Sequence, residues 1–358
     1  MKSDYCICYF GLFDPGFGRN KVYIDGLRKN GVKVIVCSDN TKGVRKFWNL
    51  FKMHLRLRHT YDLMIVGYPP YIIVPFARLI STAPVASDTM DSFYETTIIS
   101  HGSFENNPLR IPYARFIDWL NIRFANYIIV GTDNQKRSFI YKLGAVVEKM
   151  ITVYNGVDDS SFYFDPKIGK LPNFTVLFRG RINIEAGLPY VIRAAKMLEP
   201  EGIDFLIIGY GWGDAAKEFK RVLQRENASN IRHIDRQLPF DELRNLMLSC
   251  HISLGQLSDN ERLLRSTPHK VYESMAMRLP YVSARAIALQ EIMTDGTHCL
   301  MVNPNDPTDL AEKIRMLRDC SELACKLAES SYALYKEKFA PEKVVRPILE
   351  LLRSSKKL

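Results

Sequence analysis

The chain has 358 residues, 47% of them hydrophobic, and a formal net charge of +10 at pH 7. A single hydrophobic core usually stops growing at roughly 250 to 300 residues, so this length predicts two domains. The seven cysteines are scattered without C-x-x-C spacing, which argues against a disulfide framework or a zinc site and is typical of reduced thiols in the cytoplasm.

The longest apolar passage, residues 62–80, reads DLMIVGYPPYIIVPFARLI. Three prolines and Arg78 divide it, which favours a strand followed by a helix over a membrane span. The first residues, MKSDYCICYF, include an aspartate and lack the cleavage region of a secretory signal. We therefore expect a cytoplasmic protein that meets a membrane only at its surface.

Apolar strand candidates alternate with helix candidates along the whole chain. The strands are predicted at residues 6–10, 33–37, 63–66, from Val85, 127–130, 175–178, 205–209, 252–254 and 281–283, with a further extended segment within TDGTHCLMVNPND. This alternation predicts doubly wound parallel sheets whose ligands bind at the carboxyl ends of the strands.

A glycine-containing loop, DPGFGRN, follows the first predicted strand. Gly16 and Gly18 would let backbone amides approach an anion, and the positive end of the following helix would favour it. The loop is therefore a candidate wall for a phosphate-bearing donor or for an acceptor. A simple strand-to-helix turn is an equal alternative.

The segment between Asn40 and Tyr61 has no acidic residue. On a helix its apolar residues fall at spacings of four, three and four, and a basic stripe repeats that spacing one residue later. Such a helix can contact an anionic membrane surface, or it can pack on its own sheet with solvated arginines. Nucleic acid is a poorer candidate, since no binding module accompanies the stretch. The residues predicted to contact a membrane are Arg45, Trp48, Phe51, Lys52, Leu55 and Arg56, with Val44 completing the apolar stripe.

Two aspartates, Asp88 and Asp91, follow the strand that begins at Val85. Their place at a strand exit makes them candidate catalytic bases for an inverting displacement. Turn or capping roles are an alternative for both.

The carboxyl half carries an ordered series of motifs. FRGRINIEAGLPYVIRAA (178–195) reads as a strand, a Gly-Arg turn and a helix, and FLIIGYGWGD (205–214) as a strand with a Gly-rich exit. In PHKVYESMAMRLP (268–280) the prolines stand at a helix start and just past its end, with Glu273 in the first two turns. LQEIM and NPNDPTDL follow.

This series resembles the donor half of the family 4 (group 1) glycosyltransferases, with E-A-M-A-x-G-x-P-V-V, P-E-I-V and G-D-P-x-x-L frames. VYNGVDDSSFYF (153–164) resembles their interdomain hinge. The resemblance implies an α/β GT-B fold, in which two Rossmann-like domains face a cleft. Residues 1–157, completed by a helix at about 335–358, would form the acceptor-binding domain, and residues 158–334 the nucleotide-sugar donor domain.

The resemblance also implies roles for single residues. Arg181, after Gly180, would stabilise the departing diphosphate, Glu273 would bind the ribose, Lys270 would add positive charge, and Glu291 would lie near the donor sugar or cap its helix. The structural alternatives are that Arg181 is an ordinary surface cation and that Glu273 is a first-turn residue that only stabilises its helix.

Two positions depart from the family pattern. The usual lysine is Ala186 here, and the Glu expected eight residues before Glu273 is Arg265. Arg179, Lys270 or Arg285 could replace the missing cation.

The sequence therefore predicts a metal-independent hexosyltransferase-like enzyme of polysaccharide or glycolipid biosynthesis. It would move a sugar from a nucleotide-sugar to a hydroxyl of a lipid-linked or cell-surface glycan, with retention and without a cofactor, peripherally on the inner face of the cytoplasmic membrane. The alternatives are an inactive scaffold that partners another transferase and a nucleotide-sugar epimerase. The donor base, the sugar, the linkage and the oligomeric state are left open by the sequence.

Overall fold

The computed structural model describes residues 5–16, 18–99 and 109–355. The chain divides into two compact units, residues 1–158 with 339–358 and residues 159–338. The predicted boundary after residue 157 and the predicted return of the chain at about residue 335 lie close to these divisions. The acceptor and donor roles assigned to the two halves stay predictions.

Unit 1 contains a six-stranded parallel sheet in the order β2-β1-β3-β4-β5-β6. All six residues of β1 are buried, because helices cover both faces of the sheet. The strands are β1 Cys6–Gly11, β2 Lys33–Ser38, β3 Leu63–Val66, β4 Val85–Asp88, β5 Tyr127–Val130 and β6 Met150–Thr152. The helices are α1 Gly18–Lys29, α2 Arg45–Leu55, α3 Val74–Ile80, α4 Arg110–Phe124 and α5 Asp133–Leu143.

Unit 2 contains a second six-stranded parallel sheet, in the order β12-β11-β10-β7-β8-β9. Its strands are β7 Thr175–Arg179, β8 Asp204–Ile208, β9 Ile231–Ile234, β10 Ile252–Leu254, β11 Tyr281–Ala284 and β12 Leu300–Val302. Its helices are α6 Leu188–Leu198, α7 Gly213–Glu226, α8 Phe240–Ser249, α9 Glu261–Leu264, α10 His269–Ala276, α11 Ile287–Ile292, α12 Pro307–Asp319 and α13 Ser321–Leu334.

The end of the chain returns to unit 1 as α14 Pro341–Val344 and α15 Arg346–Ser355. A β-carbon on Gly26 of α1 would lie 2.1 Å from the carbonyl oxygen of Pro341, so only glycine allows this contact. The prediction of a single helix at about 335–358 was wrong. A π-helical turn ends at Phe339, and a new helix begins at Pro341. Residues 356–358 lie outside the described part.

The strands that sequence reasoning did not name are β6 and β9. Each forms an edge of its sheet, where one side lacks a neighbouring strand. The β6 strand has three residues, and β9 carries Arg232 and His233, so neither shows the continuous apolar run of an inner strand. Within the described ranges, no helix is long and apolar enough to cross a membrane.

Candidate active site

Three glycines allow the strand exits at the carboxyl edge of the unit-2 sheet to lie close together. A β-carbon on Gly209, after β8, would lie 1.8 Å from the carbonyl oxygen of Gly180, after β7. One on Gly255, after β10, would lie 2.2 Å from the hydroxyl oxygen of Tyr281. The strand exits can approach this closely only without side chains, and the carboxyl edge of a parallel sheet is where ligands of such folds bind.

Glu273, on α10, is buried at this edge with 3% of its surface exposed. Arg179, the last residue of β7, places Nη1 3.0 Å from Glu273 Oε1. Oε2 is buried and has no hydrogen-bond partner among the described residues. Burial raises the pKa of the Glu273 carboxyl, while Arg179 and Lys270 oppose the rise. A buried acceptor without a donor costs about 1 to 3 kcal/mol, so this oxygen is suited to receive a ligand hydroxyl.

Lys270 lies one helical turn before Glu273 and is also buried. Its Nζ sits 4.0 Å from the centroid of the Phe178 ring and 3.5 Å from the carbonyl oxygen of Gly255. Burial and the nearby Arg179 lower the pKa of Lys270 to about 7, although Glu273 acts in the opposite direction. A β-carbon on Gly180 would be 3.4 Å from Nζ, so this amine lies directly beside the β7 exit.

Arg181 follows Gly180 and is exposed. Its guanidinium carbon lies 4.4 Å from the centroid of the Trp212 ring. Trp212 precedes α7 in the Gly-rich turn after β8. This cation–π contact holds the guanidinium over the ring, and because Arg181 is exposed its N–H donors remain accessible for bidentate contact with a phosphate.

Neither departure from the family pattern places a charge beside Glu273. Ala186 is buried in the core of unit 2, where a lysine would lose its hydration. Arg265 forms an ion pair with Glu261, four residues earlier. Of the other cations considered as replacements, Arg285 pairs with Asp295 at 2.8 Å. Only Arg179 and Lys270 of that set cluster with Glu273.

The remaining predicted donor residue of unit 2 is Glu291, which lies half-buried in α11 and has interactions of its own. Phe178 and Trp212 belong to the cluster but were not predicted. An aromatic residue inside the Gly-rich GYGWGD turn is a signal that could have found Trp212. Phe178 has no such signal, because it reads as an ordinary core residue of β7.

The glycine loop of unit 1 forms a tight turn. The backbone amide of Gly16 donates to Asp14 Oδ1 at 2.8 Å, which occupies one of the amides predicted to meet an anion. Gly18 begins α1 with a positive φ of 51°. Phe17, between them, lies outside the described residues. These contacts favour the alternative of a strand-to-helix turn, and the ligand role stays a prediction.

Asp88 and Asp91 are both buried, and each accepts a side-chain hydrogen bond. Arg19 Nε donates to Asp88 Oδ1 at 2.7 Å, and Arg19 Nη1 donates to Asn155 Oδ1 at 2.6 Å. Gln135 Nε2 donates to Asp91 Oδ1 at 3.0 Å. Asp88 Oδ2 is buried and has no hydrogen-bond partner among the described residues, so only one oxygen of that carboxylate is engaged. The role of both aspartates as bases stays a prediction.

The predicted membrane helix is present as α2, but its buried face differs from the apolar stripe. Leu50 and His54 are buried, and Phe47 contacts Phe76 of α3. His54 tolerates burial because its Nε2 lies 2.8 Å from the hydroxyl oxygen of Tyr61. The predicted stripe, Val44, Trp48 and Leu55 with half-buried Phe51, therefore faces away from the core.

The other predicted contact residues lie beside this stripe. Trp48 stacks on Phe51 with ring centroids 5.8 Å apart, and Lys52 Nζ lies 5.2 Å from the Trp48 centroid. Arg45, Lys52 and Arg56 are exposed. Five of the six predicted residues thus lie in α2 and the sixth, Arg56, is its C-cap, so that basic and apolar groups occur together. Among the described residues, no group of three or more His, Cys, Asp or Glu side chains could hold a metal ion.

Comparison with known proteins finds a family match within unit 2. The sequence model described as "Glycosyl transferases group 1" matches residues 173–319. The matched segment covers most of the second unit. An uncharacterized glycosyltransferase of Methanocaldococcus jannaschii is 30% identical over 198 residues, 55% of this chain and 51% of that protein. The alpha-D-kanosaminyltransferase of Streptomyces kanamyceticus is 28% identical over 165 residues, 46% of this chain and 42% of that protein. The chain thus spans about half the length of the curated relatives it matches.

Solved structures identify the fold of the whole chain. Anabaena HepE, in complex with UDP and glucose, matches with a TM-score of 0.73 at 19% identity, over 98% of this chain and all (100%) of that one. Sucrose-phosphate synthase of Thermosynechococcus elongatus matches with a TM-score of 0.74 at 12% identity, over 98% of both chains. These results confirm the resemblance to group 1 glycosyltransferases and the predicted α/β GT-B fold.

Proposed function

We propose that this chain is a glycosyltransferase that moves a sugar from a nucleotide-sugar donor to a hydroxyl acceptor, and that unit 2 binds the donor. One observation carries the proposal: Glu273 is buried at the carboxyl edge with Oε1 on Arg179 and Oε2 without a described partner. A carboxylate held in this way can accept hydrogen bonds from the two hydroxyls of a ribose. The complexes of HepE with UDP and with UDP-glucose support the same class of ligand.

The cations at the edge would handle the diphosphate. When the bond between sugar and phosphate breaks, negative charge grows on the departing nucleoside diphosphate, and fixed cations stabilise it. Arg181, oriented by Trp212, would contact the phosphates from the exposed side. Lys270 would act beside Gly180. In this proposal protein cations, rather than a metal ion, supply the charge.

Retention of configuration fits the contacts of unit 1 better than inversion. Inversion needs a base that removes the proton of the acceptor hydroxyl. Asp88 is fully buried with Oδ1 paired to Arg19, and buried Asp91 accepts a hydrogen bond from Gln135. In a retaining reaction the departing phosphate itself takes the proton, so neither aspartate is required.

A lipid-linked acceptor is favoured by a second exposed aromatic helix in unit 1. Along α4, Phe116 and Trp119 stack with centroids 5.8 Å apart and are more than half exposed. Exposed Arg110, Arg115 and Arg123 accompany them on the same helix. Residues of α2, α3 and α4 pack against one core cluster of the sheet. The two helices would therefore present apolar and basic groups to an anionic lipid surface, where each basic residue contributes about 1 kcal/mol.

The alternative of an inactive scaffold is motivated by two departures from the family pattern. Ala186 stands where the pattern has a lysine, and Arg265 stands where it has a glutamate. Among the described contacts at the carboxyl edge, none favours the epimerase alternative. Scaffold and enzyme differ in one measurable respect, since only the enzyme releases a nucleoside diphosphate from a bound nucleotide-sugar.

The test is calorimetric binding of UDP, GDP and ADP, followed by turnover of the sugar nucleotide that matches the ligand bound. Glu273→Gln removes the charge that would receive the ribose, and a hydrogen bond to a charged group contributes about 1.5 to 3 kcal/mol. We therefore expect nucleotide affinity to fall about ten- to hundredfold. The control is Glu329→Gln, which changes an exposed carboxylate paired with Arg278 in the same unit.

Three results would count against the proposal. Absence of binding to every nucleotide would refute donor binding by unit 2. Equal affinities of wild type and Glu273→Gln would remove Glu273 from the site. Tight binding without any release of nucleoside diphosphate, with or without an acceptor, would favour the scaffold.

A further inference from the structure

Lys270 is a buried amine with little to hold it as a cation. Its one hydrogen bond given by the structure, to the carbonyl oxygen of Gly255, is long at 3.5 Å. The Phe178 ring, 4.0 Å from Nζ, supplies only a cation–π contact. Glu273 is on the same helix, but its Oε1 lies 3.0 Å from Arg179 Nη1. Among the described residues, the ammonium therefore has no close anion of the kind that a buried charge normally needs.

The charged groups around Lys270 oppose one another. Arg179, from β7, disfavours a second positive charge, whereas Glu273, on α10, favours it. Tyr281, from β11, is buried near Glu273, and burial raises its pKa so that the phenol is neutral. The result of burial and of these charges is a lysine whose pKa is lowered to about 7. In the unliganded protein this amine is therefore largely neutral at pH 8.

We propose that Lys270 is the second phosphate cation of the donor site, in place of the lysine absent at Ala186, and that it takes up one proton when a nucleoside diphosphate binds. The inference rests on the proposed function and deepens it. The phosphates supply the anion, and Nζ lies beside the backbone of Gly180, the residue that precedes Arg181 in the chain. The proton comes from the buffer and stays on Nζ while the ligand is bound, and no other bond changes.

The sign of the pH dependence follows from linkage. Bound phosphate raises the pKa of the lysine, so binding is strongest where the amine is already protonated, below about pH 7. Above that pH, affinity falls towards tenfold per pH unit as long as the bound lysine stays protonated. At pH 8 about nine tenths of a proton would be taken up per nucleotide.

The experiment is titration calorimetry with UDP at pH 8, in buffers that differ in their heat of ionisation. If UDP fails to bind, the nucleoside diphosphate that binds in the panel above replaces it. The slope of observed enthalpy against buffer ionisation enthalpy gives the number of protons taken up. A terminal phosphate of the ligand, with a pKa near 6, is already ionised at pH 8 and contributes little. We expect a slope of about 0.9 for wild type.

Two variants assign the proton to Lys270. Lys270→Arg keeps the charge but cannot release it, so the slope should fall to zero while affinity at pH 8 is retained or increased. Lys270→Met should also abolish the slope and weaken binding at pH 6 by at least tenfold. Lys217→Arg, at an exposed lysine of unit 2, is the matched control and should keep the wild-type slope.

Failure of this inference differs from failure of the proposed function. Nucleotide binding by wild type with a slope of zero at pH 8 would overturn the role of Lys270 and leave donor binding intact. A full slope in Lys270→Arg would assign the proton to another group and overturn the inference equally. No binding of any nucleoside diphosphate would overturn the proposed function itself. If one variant fails to fold, the other still assigns the proton, and a wild-type slope of zero overturns the inference without either.

Discussion

The buried ion pair of Arg19 and Asp88 yields a prediction that separates a structural from a catalytic aspartate. Asp88 is 0% exposed, and Arg19 Nε lies 2.7 Å from its Oδ1. Asp88→Asn keeps the size of the side chain but leaves the guanidinium without its counter-ion. Asn155, 2.6 Å from Nη1, and the Tyr23 ring remain as its other contacts.

The expected loss is large because the remaining charge is buried. Removing one partner of a buried pair typically costs about 3 to 5 kcal/mol, against a total domain stability of about 5 to 15 kcal/mol. For a unit of this size, each kcal/mol lowers the unfolding midpoint by about 2 to 4 °C. Asp88→Asn should therefore lower the midpoint of unit 1 by between about 6 and 20 °C.

The assay is urea and thermal unfolding followed by tryptophan fluorescence in a Trp212→Phe background. The chain has three tryptophans, and the two that remain, Trp48 and Trp119, both lie in unit 1. A probe confined to one unit is needed because a two-unit chain need not unfold in a single step. Their stacking on phenylalanine rings is lost on unfolding, which provides the signal.

The control is Asp25→Asn, which removes a partly exposed partner of Lys21 and should cost less than about 1 kcal/mol. Adding Arg19→Met to Asp88→Asn should recover part of the loss, since it removes the unpaired buried charge. If Asp88→Asn unfolded within 1 kcal/mol of wild type, the structural reasoning would be wrong. Unchanged stability combined with abolished transfer would instead identify a catalytic base.

Two further predictions concern the unit-1 surface and the carboxyl edge of unit 2. The double variant Trp48→Glu with Phe51→Glu should weaken binding to anionic vesicles at least tenfold, because apolar insertion is lost and charge repulsion is added. The double variant Phe116→Glu with Trp119→Glu in α4 should have the same effect. Cosedimentation checks this against neutral vesicles, and unaltered binding in both double variants would sink the membrane hypothesis. Gly209→Ala should destabilise unit 2 by about 1 to 3 kcal/mol or more, because its new β-carbon would lie 1.8 Å from the Gly180 oxygen. Gly169→Ala, which meets nothing within 4 Å, is the control in denaturant unfolding, and equal effects would contradict the packing argument.

Much of the fold was predictable because inner strands carry a local signal. The predictions at 63–66, 127–130 and 252–254 coincide with β3, β5 and β10. Buried parallel strands appear in the sequence as short continuous apolar runs, which can be recognised without the structure. Edge strands such as β9 are covered on fewer sides and keep charged residues, so their signal is weak.

The orientation of α2 shows where periodicity alone was insufficient. The stripe of Val44, Trp48, Phe51 and Leu55 has the spacing of a core face, yet most of it is exposed. The buried face instead includes His54, a polar residue that a count of apolar positions leaves out. Its burial is permitted by a hydrogen-bonding partner, Tyr61, that only the folded chain supplies.

By itself, the sequence determined the alternation of strands and helices, the placement of α10 between Pro268 and Pro280, and the resemblance of unit 2 to group 1 glycosyltransferases. These properties depend on residues close together in the chain. The tertiary structure alone decided that Asp88 pairs with Arg19, 69 residues away, and that Arg179 and Lys270, rather than Arg285, cluster with Glu273. Such pairings depend on which strand exits meet at one edge of a sheet. Local periodicity carries no information about that meeting, because strand order is set by packing across the whole unit.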